Sequence, residues 1–493
     1  MPSSVRFEHI HNNIVCSARK TRGDQIAGPP CLKAHVPRAV ATSLAATACQ
    51  LPFSRARTRQ YSTMAVRLCC CCFLLFVTIA AAGGSLTRTN VATLPGFDGA
   101  LPSRLETGYV TVDEENGAEL FYYFIESEGD PSTDPVLLWI TGGDRCSVLS
   151  ALFFEIGPLK LVIEPYNGSL PRLHYHPYSW TKVASILFVD SPVGAGFSFS
   201  RDPKGYDVGD VSASMQLIKL LRERTWFLLA LGLISRLTLI QWFTEHPHYL
   251  SNPFYVGGDS YAGKIVPFIM IMEHCEGEDY DNPSNVICQQ ALARFDSLLH
   301  EGSRAQILNP NCIYVSPKPN HETIDRKILK EEHGGLKHPP PQPSIKCGVY
   351  ANYLSYFWAN NNFTRRTLGI KKGTINEWVR CHEHDLPYNI DIRSSIKYHR
   401  NVTLKGYRAL VYSGDHDAVV PFLGTQAWVR SFNYPIVDDW RAWHIDGQSA
   451  GFTIAYGNNL TFATVKGAGH TAPEFEPDRC FTMFKRWISS IPL

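Results

Sequence analysis

Asn252-Pro-Phe-Tyr-Val-Gly-Gly-Asp-Ser-Tyr-Ala-Gly-Lys264 is the stretch on which the reading of this chain turns. A β-type run at 254–256 enters it, and an apolar helical pattern at 262–274 leaves it. Between them, Gly258-Asp-Ser-Tyr-Ala-Gly263 approximates the G-x-S-x-G strand–turn–helix. In that turn, small residues on each side of the serine let strand and helix approach closely while the hydroxyl stands clear. The second small position is Ala262 rather than glycine, with Gly263 after it, so the strict pattern is missed but the steric requirement is met. Gly-Asp-Ser is also a common surface turn, so the motif needs partners elsewhere in the chain.

A hydrolase built on this turn needs Ser, then Asp or Glu, then His in chain order. Tyr412-Ser-Gly-Asp-His-Asp-Ala-Val-Val-Pro421 places two carboxylates just past a strand, and Val465-Lys-Gly-Ala-Gly-His-Thr-Ala-Pro473 places a histidine just past another. Both are glycine-bearing loops beyond strand C-termini, where open α/β sheets hold their active sites. Asp415, directly after Gly414, has the usual place of an Asp that shapes a turn. His416 and His444 lack the strand–Gly–His context and read as surface or packing residues.

Outward from these loops, strand-type runs at 120–125, 136–140, 186–189, 254–256, 409–412 and 462–465 alternate with helical patterns at 148–155, 211–245, 262–274, 424–431 and 479–488. Alternation of this kind predicts an α/β fold, a mostly parallel sheet covered on both faces. Residues 275–400 differ, being rich in Cys, Asn and Pro and broken by Pro339-Pro-Pro341, and read as a cap inserted into the α/β body.

The 493 residues are 44% apolar, 12% aromatic and 19% charged, a globular composition that excludes a disordered or collagen-like chain. The formal charge of +2 gives no electrostatic case for nucleic-acid binding. That average conceals a split, for residues 1–84 hold 10 Lys/Arg and 2 Asp/Glu, leaving 37 against 43 in the remainder. Residues 1–63 are Arg-rich and acid-poor with little apolar periodicity, and read as a disordered leader or an untranslated-like extension. Met64 opens another pattern: Arg67, then an apolar run of 15 residues at 68–82 in which Thr78 is the single polar residue, then small residues around Gly83-Gly84. This has the form of a secretory signal peptide over 64–84 with Met64 as the start, and the run is shorter than the ~20 residues a membrane span needs. Seven cysteines follow residue 84, at 146, 275, 288, 312, 347, 381 and 480, with no CxxC pair to indicate zinc. Six can make three disulfides in an oxidising compartment. N-x-[ST] sequons at Asn167, Asn362, Asn401 and Asn459 agree with a secreted or vacuolar glycoprotein.

From about residue 92 to the C terminus the chain resembles the plant serine carboxypeptidase-like proteins. The resemblance rests on Leu138-Trp-Ile-Thr-Gly-Gly143, Phe154-Glu-Ile-Gly-Pro158, Phe188-Val-Asp-Ser-Pro-Val-Gly-Ala-Gly-Phe-Ser198 and Gly258-Asp-Ser-Tyr-Ala-Gly263, together with the loops 413–421 and 466–473. It implies an α/β-hydrolase fold with an inserted cap and no cofactor or metal. It also implies Ser260 as nucleophile, Asp417 as orienting acid, His470 as base, and the backbone N–H groups of Gly143 and Tyr261 as the oxyanion hole, worth about 3 to 4 kcal/mol per donor. It pairs Cys146 with Cys381, Cys275 with Cys288 and Cys312 with Cys347, leaving Cys480 free.

Two branches of the family share such a triad. Its peptidases hold a terminal carboxylate with two Glu and an Asn, the acids sharing a proton. Here Glu155 matches one Glu, whereas Asp259 stands before the nucleophile in place of the other and Thr141 replaces the Asn. The Gly-Asp-Ser-Tyr form resembles the acyltransferase branch, which moves acyl groups from glucose esters to an alcohol or amine. Acyl transfer is therefore the leading expectation and carboxypeptidase activity the alternative; the partners are a small-molecule donor and acceptor, or a peptide. Three departures from the family motivate a third reading, a non-catalytic variant. Asp144-Arg145 replaces the usual Pro-Gly and reads as a charged pair at a loop surface. Residues 222–240 are an insertion in a helix. After Pro267 a strand that normally adjoins the nucleophile strand is missing, which would leave the central sheet short of one strand and its neighbours' backbone groups unpaired.

Overall fold

The computed structural model describes residues 13–17, 86–143, 145–221, 241–271, 302–303, 306–310, 340–382, 386–392 and 394–493. The segment 64–84 expected as a signal peptide, the expected insertion 222–240, Asp144, Cys275, Cys288 and Cys312 lie outside the described residues. The chain divides into a unit of residues 1–21 and 85–493, which carries every described element, and a unit of residues 22–84.

One mixed sheet organises the fold. Its strands, in chain order, are β1 (Asn13–Ser17), β2 (Leu86–Val91), β3 (Leu105–Asp113), β4 (Ala118–Ile125), β5 (Val136–Ile140), β6 (Ser185–Val189), β7 (Phe254–Gly258), β8 (Ala409–Gly414), β9 (Ile436–Ile445), β10 (Gln448–Tyr456) and β11 (Leu460–Val465). They lie side by side as β9-β10-β11-β8-β1-β7-β5-β6-β4-β3-β2. All six expected strands are present, but the sheet is not mostly parallel. Only β11–β8, β7–β5 and β5–β6 pair in parallel, and both ends are antiparallel meanders. The meander strands escape the sequence reading because β9 is an edge strand of largely exposed and half-buried residues, with no apolar face to announce it.

The central strands are apolar along their whole length because both faces are covered. Every residue of β4, β5, β6 and β7 is buried. Helix α1 (Asp210–Leu221), α2 (Gln241–Glu245), α3 (Ala262–Ile271), α4 (Tyr350–Asn360), α5 (Asn362–Thr367), α6 (Ile396–Leu404), α7 (Phe422–Arg430), α8 (Ala472–Phe475) and α9 (Pro477–Ile488) surround the sheet. α9 shows how such a face is built. Pro477 sits at its first turn, and Cys480, Met483, Phe484 and Trp487 recur at helical spacing and are buried. Phe484 stacks on Trp180 with ring centroids 3.9 Å apart.

One expectation changes, and part of the expected cap packs into the core. Residues 13–17, expected within a disordered leader, form β1, and β1 occupies the place where the sheet was expected to lack a strand. Residues 340–382, expected as part of a cap, contribute Tyr350, Leu354, Trp358 and Trp378 to the core, and Trp358 Nε1 donates to the Pro95 carbonyl at 2.7 Å. Of the sequon asparagines, Asn167, Asn362 and Asn459 are exposed and Asn401 is half-buried on α6. No described helix is long and apolar enough to cross a membrane.

Candidate active site

Four loops converge at one edge of the sheet. β5, β7, β8 and β11 run in the same direction, since β8 and β7 are each antiparallel to β1. Their C-terminal ends deliver Thr141-Gly142-Gly143, Ser260, Asp417 and His470. Parallel strands bring residues far apart in the chain to one edge, which is why the site is assembled from separate glycine-bearing loops.

Ser260 has φ +50 in the turn between β7 and α3. A non-glycine residue in this region stores about 1–3 kcal/mol, retained only where surrounding packing over-determines it. Here it does. A Cβ on Gly258 would lie 2.5 Å from both the Ala262 Cβ and the Ile140 carbonyl oxygen, and one on Gly142 would lie 2.4 Å from the Ser260 Cβ. Gly143 has φ +76, and a Cβ there would meet the Cys146 Sγ at 2.4 Å. The small residues singled out in the sequence are thus steric necessities, and the Gly142-Gly143 loop lies against the serine.

His470 Nε2 is 2.6 Å from Ser260 Oγ, and His470 Nδ1 is 2.9 Å from Asp417 Oδ2. Asp417 Oδ1 accepts from the Val419 and Val420 backbone N–H groups at 2.8 and 3.1 Å, which fixes the carboxylate's orientation. Burial alone would lower the His470 pKa; the hydrogen bond and charge of Asp417, with the charges of Asp259 and Glu474, outweigh it, so the pKa is raised. His416 and His444 take no part: His416 lies near Asp415, and the carbonyl of His444 accepts from Arg486. Asp415 accepts from the Gly467 N–H at 2.7 Å and so ties its own loop to the one that carries His470.

The expected binding acids gather beside the serine. Asp259 is buried, and its Oδ1 accepts from Thr141 Oγ1 at 3.1 Å and from the Gly142 N–H at 3.0 Å. Burial raises its pKa. Glu155 is also buried, and among the described residues no donor reaches its Oε2. Burial, then the charges of Asp259 and Glu474, push its pKa well above the usual carboxylate range, a shift toward the neutral acid.

Three features were missed in the sequence. Glu474, whose pKa burial also raises, accepts from Thr471 Oγ1 at 2.6 Å; the Thr-x-x-Glu spacing at a helix start is the signal that marks it. Asp210, wholly buried on α1, accepts from Tyr261 Oη, from Tyr388 Oη at 3.0 Å, from Lys264 Nζ at 3.3 Å and from the Ile392 N–H at 2.8 Å, tying the turn after the nucleophile to α1. No local pattern announces it. Arg145, expected at a loop surface, is completely buried and donates to the carbonyls of Val193, Tyr206 and Pro387. Carbonyl oxygens converging on the guanidinium offset the cost of taking it from water. Next to it, Cys146 is bonded to Cys381. Cys347 is also disulfide-bonded, to a partner outside the described residues, and Cys480 is free.

The family model for serine carboxypeptidase matches residues 95–272 and 270–490, two segments that meet where the sequence reading places the missing strand, and the chain belongs to this family. It is an enzyme of the hydrolase or acyltransferase type that such relatives represent. Among its relatives are two Arabidopsis thaliana proteins. Serine carboxypeptidase-like 19 is 39% identical over 461 residues, and serine carboxypeptidase-like 13 is 42% identical over 425; each match covers 82% of this chain and 94% of the relative. The crystal structure of Kex1(delta)p, a prohormone-processing carboxypeptidase from Saccharomyces cerevisiae, superposes with a TM-score of 0.52 at 16% identity, covering 79% of this chain and 92% of that one. That likeness concerns the fold, which is the α/β-hydrolase fold.

Proposed function

We propose that the protein is a serine carboxypeptidase-like acyltransferase of secondary metabolism that forms an acyl-enzyme on Ser260. His470 Nε2 accepts the Ser260 proton as Oγ attacks the carbonyl carbon of a glucose ester. The Gly143 and Tyr261 N–H groups stabilise the oxyanion that develops. Collapse expels the glucosyl oxygen, which takes the proton from His470, and the acyl group stays on Oγ. His470 then removes a proton from an alcohol or amine acceptor, and a second tetrahedral species collapses to product and free Ser260. Asp417 holds the imidazole in the tautomer that both halves require.

The observation that carries transfer over hydrolysis is the state of Asp259. Its Oδ1 is occupied by Thr141 Oγ1 and the Gly142 N–H, and the carboxyl ends one methylene short of the Glu that peptidases use. A terminal carboxylate would meet an altered clamp. The buried Glu155, its pKa raised by burial, favours the second reading, a carboxypeptidase releasing C-terminal residues, because it keeps half of that clamp. The sequons and the 64–84 segment support passage through the secretory pathway to the vacuole or exterior. The test incubates the full chain, beside Ser260→Ala, with a phenolic-acyl glucose ester plus alcohol and amine acceptors, and separately with blocked dipeptides at acidic pH. Ser260-dependent acyl product with little amino-acid release is expected. Amino-acid release without transfer overturns the proposal in favour of the peptidase, and neither reaction overturns both.

A further inference from the structure

The two N–H groups read as oxyanion donors belong to segments far apart in the chain. Gly143 lies in the loop after β5, and Tyr261 lies in the turn before α3. Arg145, two residues past Gly143, is completely buried. Its backbone is fastened to residues 380–382. The Arg145 carbonyl accepts from the His382 N–H at 3.2 Å, the Ser147 N–H donates to the Arg380 carbonyl at 2.8 Å, and the disulfide of Cys146 with Cys381 lies between these bonds. Its side chain is fastened elsewhere. The guanidinium donates to the Val193 carbonyl, to the Tyr206 carbonyl at 2.6 Å and to the Pro387 carbonyl, and it stands 5.9 Å from the centre of the Tyr388 ring. Residue 194 has to be small to leave it room, since a Cβ on Gly194 would lie 2.6 Å from Arg145 Nη1. A guanidinium holds its N–H groups in one rigid plane, so a single side chain fixes several carbonyls relative to one another.

Two of those carbonyls belong to segments that run on together toward the nucleophile turn. Tyr206 precedes Val208-Gly209 and Pro387 precedes Tyr388-Asn389. These pairs lie parallel, Tyr388 opposite Val208 and Asn389 opposite Gly209. Asp210 follows directly. It accepts from Tyr388 Oη at 3.0 Å, from the Ile392 N–H at 2.8 Å and from Tyr261 Oη. Arg145 therefore grips at one end the same short ladder that Asp210 ties to Tyr261 at the other. The third carbonyl, of Val193, belongs to a loop that reaches back. Asp190 accepts from Ser147 Oγ and from the Val148 N–H, each at 2.8 Å.

We propose that Arg145 is a positioning residue of the oxyanion hole, a brace that holds the Gly143 loop and the Tyr261 turn at the separation where both N–H groups reach one oxygen. It acts through these contacts rather than on the substrate. The inference rests on the reading of Ser260 as nucleophile with the Gly143 and Tyr261 N–H groups as its oxyanion donors, and it holds for acyl transfer and hydrolysis alike.

The test compares the full chain with Arg145→Lys and Arg145→Met. Lysine keeps the charge without the planar fork, and methionine keeps neither. Ser260 is labelled by a fluorophosphonate at increasing concentrations, so that the maximal bonding rate is read apart from the half-saturating concentration. Negative charge gathers on the phosphonyl oxygen as the bond to Oγ forms, so a misplaced hole slows bonding and leaves the first encounter unchanged. Losing one oxyanion donor outright costs roughly 10²–10³ in rate. Arg145→Met is expected to bond at least ~100-fold more slowly and Arg145→Lys at least ~10-fold, each with a half-saturating concentration within about threefold of the parent's. A folded lysine variant that bonds within about threefold of the parent, or a loss carried wholly by the half-saturating concentration, overturns the proposal. Hydrogen exchange followed by peptide mass reads the brace without any activity. In Arg145→Lys, the amides of 142–147 and of 260–264 should both exchange at least ~10-fold faster than in the parent, with those of α9 unchanged. Faster exchange at 142–147 alone overturns the link to Tyr261. Faster exchange at both places, beside a parent whose Ser260 takes no label, supports the brace and counts only against the reading of the nucleophile.

Discussion

Replacing Asp417 by asparagine keeps the side chain's shape and changes only what it presents to His470. Oδ1 of Asp417 accepts from the Val419 and Val420 N–H groups at 2.8 and 3.1 Å, so the amide oxygen of the variant keeps that position. The amide nitrogen then faces His470 Nδ1, where a carboxylate oxygen stood at 2.9 Å. Nδ1 has to become an acceptor, the proton moves to Nε2, and the nitrogen 2.6 Å from Ser260 Oγ donates where it must accept. Loss of the productive tautomer costs roughly 10⁴ in rate, about 5.4 kcal/mol of transition-state stabilisation. A second effect has the opposite sign. In the parent, Asp417 raises the His470 pKa against a burial effect that lowers it. Removing the carboxylate leaves burial to act, so the variant's imidazole stays neutral to lower pH. If protonation state governed the rate, the variant would hold an advantage in acid. The assay is the second-order rate of Ser260 labelling by a fluorophosphonate from pH 5 to 8, with folding checked by circular dichroism. The parent's rate should rise with pH as His470 deprotonates. The variant should lie orders of magnitude below it, with an acid limb displaced to lower pH, so that the parent-to-variant ratio is smaller at pH 5 than at pH 8. A folded Asp417→Asn protein within tenfold of the parent across that range refutes the tautomer argument.

Three further outcomes are expected. Thr141→Asn combined with Asp259→Glu frees Asp259's partners and restores the longer acid, so the ratio of amino-acid release from blocked dipeptides to acyl transfer should rise at least ~10-fold, about the value of one good hydrogen bond to a charged group. Asp210→Ala takes that carboxylate from the buried Lys264 ammonium and removes the acceptor it gives Tyr261 Oη and Tyr388 Oη, so the free energy of unfolding by urea should fall by about 3–5 kcal/mol. His399 is buried, and burial lowers its pKa from 6.5 to about 3, so the folded state stays neutral where the unfolded chain takes up a proton. Its stabilising contribution is complete above pH 6.5 and declines by about 1.4 kcal/mol per pH unit as pH falls toward 3. Urea unfolding of His399→Gln should therefore show an acid decline between pH 7 and pH 5 shallower than the parent's by about 2 kcal/mol.

Much of the fold was legible because it is written in short-range patterns. Val136-Leu-Leu-Trp-Ile140 is apolar throughout because both its faces are covered, and Pro477 with the spacing of Cys480, Met483, Phe484 and Trp487 marks a helix and its buried face. The site residues stood out for the same reason. A serine flanked by Gly258 and Ala262, and a carboxylate and a histidine each after a strand and a glycine, are local signatures of loops at a sheet edge. The edge hairpin of β9 and β10 was not legible, since half-exposed strands carry no strong apolar alternation.

What the sequence by itself determined was therefore the class of fold and the identity of the residues that meet at its active edge. Each depends on a residue and its near neighbours. Tertiary structure alone decided three things. It placed β1 between β7 and β8, buried Arg145 under the carbonyls of three distant segments, and made Asp210 the anchor of the turn after Ser260. The physical reason is common to all three. A strand's place is set by unpaired edges elsewhere in the sheet, and a buried charge is tolerated only where partners remote in sequence converge on it. Neither condition is visible in the five residues of a strand or in a single arginine or aspartate.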